Sequence, residues 1–257
     1  MKKLMLSLLA AATLCVPALA QNRVKYLSTS TESLNVSELQ VADQSVQINR
    51  FLFPGYNTLC LPMTLSADQL QAAAKDVRVE RLAAMRQDGS TLCLYFVDCT
   101  ADGIQAGMPY LIYSPKMQNL TARSADAMGV STDLRAVSLS DNAGNRVVFT
   151  SSWQSVAGDA RRYGIPAKQD VEMLESVLFP TSAEKTFLPT RCGVVWDQQN
   201  ATAQDIVIRH ASADEATAIN AIAAENKAAE VYDLAGRRVT TAQRGVYVVD
   251  GKKKAVK

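Results

Sequence analysis

The chain has 257 residues, 48% of them hydrophobic, with 27 Lys and Arg against 25 Asp and Glu and a single histidine. A formal net charge of +2 gives no general attraction to nucleic acid or to an acidic membrane surface. The length supports one large domain, or one domain plus an appendage, with a core of its own.

Residues 1–20, MKKLMLSLLAAATLCVPALA, open with Lys2 and Lys3, continue through an apolar run from Leu4 to Val16, and close on Ala18-Leu19-Ala20. That order is the pattern of a secretory signal peptide, with cleavage expected before Gln21. The run is too short to span a bilayer. Lipidation at Cys15 is not expected, because Leu14 stands where a small residue is needed. The expected localisation is therefore exported: cell surface, extracellular or periplasmic. Cleavage removes two of the 27 basic residues and no acidic one, leaving 237 residues with 25 charges of each sign. No later stretch is long and apolar enough to be a transmembrane helix. Four cysteines remain, Cys60, Cys93, Cys99 and Cys192, all in apolar, strand-like surroundings. In an exported chain they are equally compatible with disulfides and with buried thiols.

Residues 21–34 are polar and rich in Ser and Thr, and read as a flexible entry segment. The β-rich main domain is expected over 35–210. Its strands are signalled at 46–48, 58–61, 77–85, 91–97, 110–113, 135–139, 146–150, 193–196 and 205–208. Turn signals separate them, among them Asp88-Gly89, Asp102-Gly103, Met108-Pro109, Ser114-Pro115 and Asp141-Asn142-Ala143-Gly144-Asn145. Short strands at this spacing predict an all-β fold, a mainly antiparallel β-sandwich-like body with one or two short helices. One helix is signed by Ser66 and Gln69 as a capping box, with Leu65 and Leu70 at the positions of a hydrophobic staple. A second is predicted over 167–178, where Val171, Leu174 and Leu178 recur at helical spacing. Residues 211–230 are crowded with alanine and read as a linker. Residues 231–257 form a small C-terminal β appendage.

Little in this order points to chemistry. His210 is the only histidine, and Asp205, five residues away on the same strand, faces away from it. Cys93 and Cys99 lack the short spacing of a zinc site. Asp141 to Gly144 reads as a turn rather than a calcium loop. There is no glycine-rich phosphate loop and no HExxH pair. No cofactor, metal or catalytic residue is therefore assigned. Asp98, Glu80 and Glu172 are the acids available to a glycosidase-like pair. Trp153, Trp196, Tyr56, Tyr95, Tyr110, Tyr113 and Tyr163 are the aromatic stock for a sugar-binding surface, though each is more often used in a core. Trp153, in the polar context Ser151-Ser152-Trp153, is the ligand-binding candidate.

The tail reads Val231-Tyr232-Asp233-Leu234-Ala235-Gly236-Arg237-Arg238-Val239, then Arg244-Gly245-Val246-Tyr247-Val248-Val249-Asp250-Gly251-Lys252-Lys253, and ends in Val256-Lys257. This resembles the short C-terminal element of exported Bacteroidetes proteins that is related to the sorting domains of the type IX secretion system. The resemblance covers about 27 residues and implies a partner in the export or surface-attachment machinery. Tyr56 to Pro62, Ala106 to Ile112 and Phe187 to Cys192 are similar to segments of uncharacterised Bacteroidetes surface proteins, which imply no activity. Three lysines, Lys252 to Lys254, in a neutral chain do not make a nucleic-acid patch. The function expected is a non-catalytic cell-surface or envelope protein, a binding or structural module whose partner is a glycan or an envelope protein. The alternative is a secreted glycan-directed hydrolase using paired carboxylates.

Overall fold

The computed structural model describes residues 23–28, 33–39, 44–124, 130–165, 178–198, 202–225, 231–233, 237, 239, 245–249 and 252–256. The leader over 1–20 and the helix predicted over 167–178, Leu178 apart, lie outside the described residues. The strands in the first half are β1 (Arg23–Ser28), β2 (Gln44–Leu52), β3 (Gly55–Leu59), β4 (Arg78–Asp88), β5 (Thr91–Asp98), β6 (Tyr110–Ser114) and β7 (Gln118–Ser124). There follow β8 (Val137–Ser140), β9 (Asn145–Ser151), β10 (Val156–Ala157), β11 (Arg162–Gly164), β12 (Phe179–Pro180), β13 (Thr186–Phe187), β14 (Cys192–Gln198) and β15 (Asp205–Ala211). Last come β16 (Val231–Tyr232), β17 (Gly245–Val249) and β18 (Lys252–Val256), and the α-helices among the described residues are α1 (Ala67–Ala73) and α2 (Ala213–Glu225). The fold is all-β and sandwich-like, and every pairing is antiparallel except β1 with β2 and β15 with β5.

A central five-stranded sheet has the order β15-β5-β4-β6-β3. Alternation along its strands sends side chains to two different cores. On one face Leu59, Leu61, Val79 and Ile112 pack with Val46, Ile48 and Leu52 of β2 and Leu120 and Ala122 of β7. On the other, Leu92, Leu94, Phe96, Leu111, Ile206 and Ile208 meet Val147, Phe149, Val194 and Trp196 of a second five-stranded sheet, β12-β11-β14-β9-β8. Phe96 and Phe149 touch edge to face, with ring centroids 5.5 Å apart.

The β2–β7 ribbon continues the β3–β6 ribbon after a bend. Pro54 withholds an N–H from the ladder at the bend, where Gly55 takes φ 91°. The Asn57 side chain holds the turn, accepting from Phe53 N–H at 3.0 Å and donating to its carbonyl at 2.8 Å. Gly107 occupies another tight approach, at φ 72°, where a Cβ would overlap the Asp133 carbonyl. α1 has its expected capping box, with Gln69 N–H on Ser66 Oγ and Ser66 N–H on Gln69 Oε1, and both staple leucines are buried.

Two expectations are corrected. Within the segment read as a flexible entry, residues 23–28 form β1, in parallel register with Gln44 to Asn49 of β2. Where a linker is expected, α2 occupies 213–225. Ser212 and Glu215 make a second reciprocal capping box, and Ala216 and Ile219 pack on Ala84 and Val97, on the face of β4 and β5 turned away from the second sheet. The small Ala216 allows the helix to lie close, and Asn220 Nδ2 donates to the Ala83 carbonyl at 3.0 Å. At the C-terminus, β16, β17 and β18 form a three-stranded antiparallel sheet.

Cys60, Cys93, Cys99 and Cys192 are free and buried. A thiol reagent added without reductant is therefore expected to leave the native protein unlabelled and to place four labels on the denatured mature chain, or five if Cys15 is retained. Two labels, or none, on the denatured mature chain would mean that disulfides form in this protein.

Candidate functional site

The central sheet carries charge on its inward face at one end. In β4, Val79 belongs to the first core, so Arg78 and Glu80 share the face of Leu82, which points toward the second sheet. Tyr113 follows Leu111 on that face of β6, Tyr56 lies in step with Cys60 along the β3 segment, and His210 follows Ile206 and Ile208 in β15. β15 and β3 are opposite edges of the sheet, yet the Tyr56 and His210 rings stack with centroids 4.7 Å apart and planes 14° from parallel. The sheet is thus curled enough for its two edges to meet above β4. The bulge between Leu82 and Ala84 supplies part of that curl, because a bulge bends its strand and increases its twist.

Glu80 is the anchor of the cluster. It is only 3% exposed, and its carboxylate accepts from His210 Nδ1 at 2.6 Å and from Arg78 Nε at 3.0 Å. Arg78 Nη2 donates to the Tyr56 hydroxyl at 2.6 Å, and that hydroxyl lies a longer 3.4 Å from both Glu80 Oε1 and His210 Nδ1. Burial, and then the Glu80 charge, push the Tyr56 phenol up to about 12 against the pull of Arg78. Tyr56 is therefore a hydroxyl, not a base, at neutral pH. With Nδ1–H turned to Glu80, Nε2 is the histidine nitrogen left for other partners. His210 and Arg78 stay 34% and 45% exposed at the side chain. Tyr113 completes the group, 5.2 Å from the Tyr56 ring and under the Arg78 guanidinium at 5.2 Å. The arrangement presents aromatic rings, an imidazole and a guanidinium held at fixed angles by one buried carboxylate.

The residues singled out by sequence are placed differently. Trp153 is half-buried, in contact with both cores, and its Nε1 donates to the Thr132 carbonyl at 2.9 Å. Trp196 and Tyr110 are buried. Tyr163 leans on Trp196, and Tyr95 lies under Arg86 beside α2. Glu80 and Asp98 are register partners across β4 and β5, but Asp98 is turned to its own loop, accepting from Thr100 N–H at 2.8 Å. Glu172 lies outside the described residues. Asp141 is used up by its turn, accepting from Ala143 N–H, Asn145 N–H and Asn145 Nδ2. Asp205 and His210 sit at opposite ends of β15 and on opposite faces. His210, which reads as an isolated surface residue, belongs to the Glu80 cluster. The signal for it is the pair of charges at Arg78 and Glu80 in phase with an inward leucine. Comparison of the chain with protein-family models, characterised proteins and solved structures gives no match.

Proposed function

We propose that this is a non-catalytic, exported surface or envelope module that binds a glycan at the Tyr56–Tyr113–His210–Arg78 cluster. The observation that carries this reading is the Tyr56–His210 stack beside Arg78, oriented by the buried carboxylate of Glu80. Sugars present apolar C–H faces to aromatic rings and hydroxyls to charged donors, and fixed rings lose little conformational entropy on binding. The signal-like residues 1–20 support export. The C-terminal sheet supports a role in surface placement. Within the sorting-like motif Asp233 and Arg237 are joined by a 2.7 Å ion pair, by Arg237 N–H on Asp233 Oδ1 at 2.9 Å and by Asp233 N–H on the Arg237 carbonyl at 2.9 Å. The alternative, a hydrolase using Glu80 and Asp98, draws support only from their cross-strand pairing.

The test is titration of the mature protein with glycans selected on an array. Tyr113→Ala is expected to weaken binding about tenfold, or ~1.4 kcal/mol, while Trp153→Ala leaves it within a factor of two. Loss of binding in Trp153→Ala, with Tyr113→Ala unchanged, would move the site to Trp153. No glycan binding, with capture of an envelope protein that Tyr113→Ala abolishes, would replace the glycan by a protein partner.

A further inference from the structure

A second polar site lies where the bent ribbon meets the second sheet. Along β2 the inward stripe reads Val46, Ile48, Arg50, Leu52, so an arginine stands at a core position. Arg50 is 3% exposed. It gives one hydrogen bond, from Nη1 to the Phe51 carbonyl at 3.2 Å, and its buried Nε has no partner. Arg191 reaches the same place from the loop before β14, and its buried Nε is also without a partner. The two line a cavity of about 40 Å³ together with Tyr56, Asn57, Phe187 and Cys192. That exceeds the roughly 10–15 Å³ needed for one water, and leaves room for the head of a small anion.

Two guanidinium groups lining one cavity, each with a buried and unpartnered Nε and with no carboxylate among the described residues paired to either, are a costly arrangement. Burial first, and then the Arg191 charge, lower the Arg50 pKa; burial lowers that of Arg191. The backbone before Arg191 is strained as well. Thr190 is fully buried at φ 69°, a left-handed conformation rare for a β-branched residue. The loop is held there by Cys60 N–H on the Thr190 carbonyl at 2.9 Å and Ser151 Oγ on the Arg191 carbonyl at 2.8 Å. Planar guanidinium forks are the groups that bind carboxylate, sulfate and phosphate through paired hydrogen bonds.

We propose that Arg50 and Arg191 form a pocket for one oxyanion group, a carboxylate, sulfate or phosphate, of a ligand from outside the chain. The test is thermal unfolding of the full mature protein in an anion-poor buffer, titrated separately with sodium acetate, sulfate and phosphate. Wild type is expected to show a saturable rise in Tm with at least one of the three, and the identity of that anion names the group. Arg50→Met and Arg191→Met are each expected to raise the midpoint concentration of the titration at least tenfold. A buffer without oxyanions should leave Arg50→Met at least as stable as wild type. Because sulfate and phosphate stabilise proteins generally, an equal rise in wild type and both variants would overturn the proposal, as would no response to any of the three. A response appearing only when Asp170, Glu172 and Glu175 are changed to Asn, Gln and Gln would also overturn it, since the occupant would then be the chain's own carboxylate. Should both arginine variants fail to fold, ¹⁵Nε arginine signals of the wild-type protein decide. Saturable shifts of two such signals support the pocket, and unmoved signals reject it.

Discussion

Glu80→Ala is expected to destabilise the protein by about 2–3 kcal/mol and to remove glycan binding at the cluster. Glu80 is buried, and it is the common acceptor of Arg78 Nε and His210 Nδ1. Breaking a buried ion pair from one side commonly costs about 3–5 kcal/mol. Here both partners, Arg78 and His210, reach solvent, so water recovers part of that loss and the lower figure applies. Without the carboxylate, the imidazole keeps only its stack on Tyr56 and the long 3.4 Å contact with the Tyr56 hydroxyl, and the 2.6 Å bond that ties β15 to β4 is lost. Glu80→Gln keeps the shape and one acceptor, and is expected to cost about half as much. Urea unfolding of the three proteins measures this. A cost below about 0.5 kcal/mol for Glu80→Ala would show that the cluster is not anchored as described.

Alkaline pH is expected to unfold the protein steeply, and Cys60 to account for an identifiable share of the slope. Burial pushes the Cys60 thiol from its ordinary 9.0 up to about 12, and its side chain is fully enclosed in the core between the two five-stranded sheets. Below pH 9 the thiol is neutral in both the folded and the unfolded chain, so its contribution is fully present. Between pH 9 and about 12 the unfolded chain releases the proton and the folded chain does not, so stability falls as pH rises. The slope from one such group is about 1.4 kcal/mol per pH unit. Tyr56, also raised, adds to the fall in the upper part of that window. Arg50, lowered to about 9, acts with the opposite sign, because the folded state releases its proton first. The comparison that isolates Cys60 is the pH dependence of urea unfolding in wild type and in Cys60→Ala. The two curves should converge as pH rises above 9. Parallel curves would mean that Cys60 does not titrate as a buried thiol.

The sandwich was legible because its strongest strands carry their own signals. The apolar run of β5, the Ser66 and Gln69 capping box, and the alternation in β9 and β14 each need no tertiary context. β7, QNLTARS, escaped because Leu120 and Ala122 are the only apolar residues on its inward face, and its pairing with β2 is set by the bend at Pro54. α2 was hidden by alanine density. Alanine reads as low complexity, although Ser212 and Glu215 signed the helix start and Ala216 was the small contact residue a close-packed helix needs. The candidate site was the least legible part. Glu80 and His210 are 130 residues apart and Tyr56 stands on a third strand, so only sheet curl brings them together. Tryptophan in a polar stretch pointed instead to Trp153, whose ring is tied into the core. Arg50 carried a readable sign, a cation in phase with Val46, Ile48 and Leu52, but the partner across the cavity comes from a loop 141 positions later.

The most direct test of a binding module is to measure binding and turnover on one sample. The mature protein would be incubated with a glycan that it retains on an array, and both the bound sugar and any products would be analysed by mass. The account predicts that the glycan is bound and recovered intact, with binding about tenfold weaker in Tyr113→Ala. Cleaved sugar whose formation disappears in Glu80→Gln or Asp98→Asn would contradict it and make the protein a hydrolase.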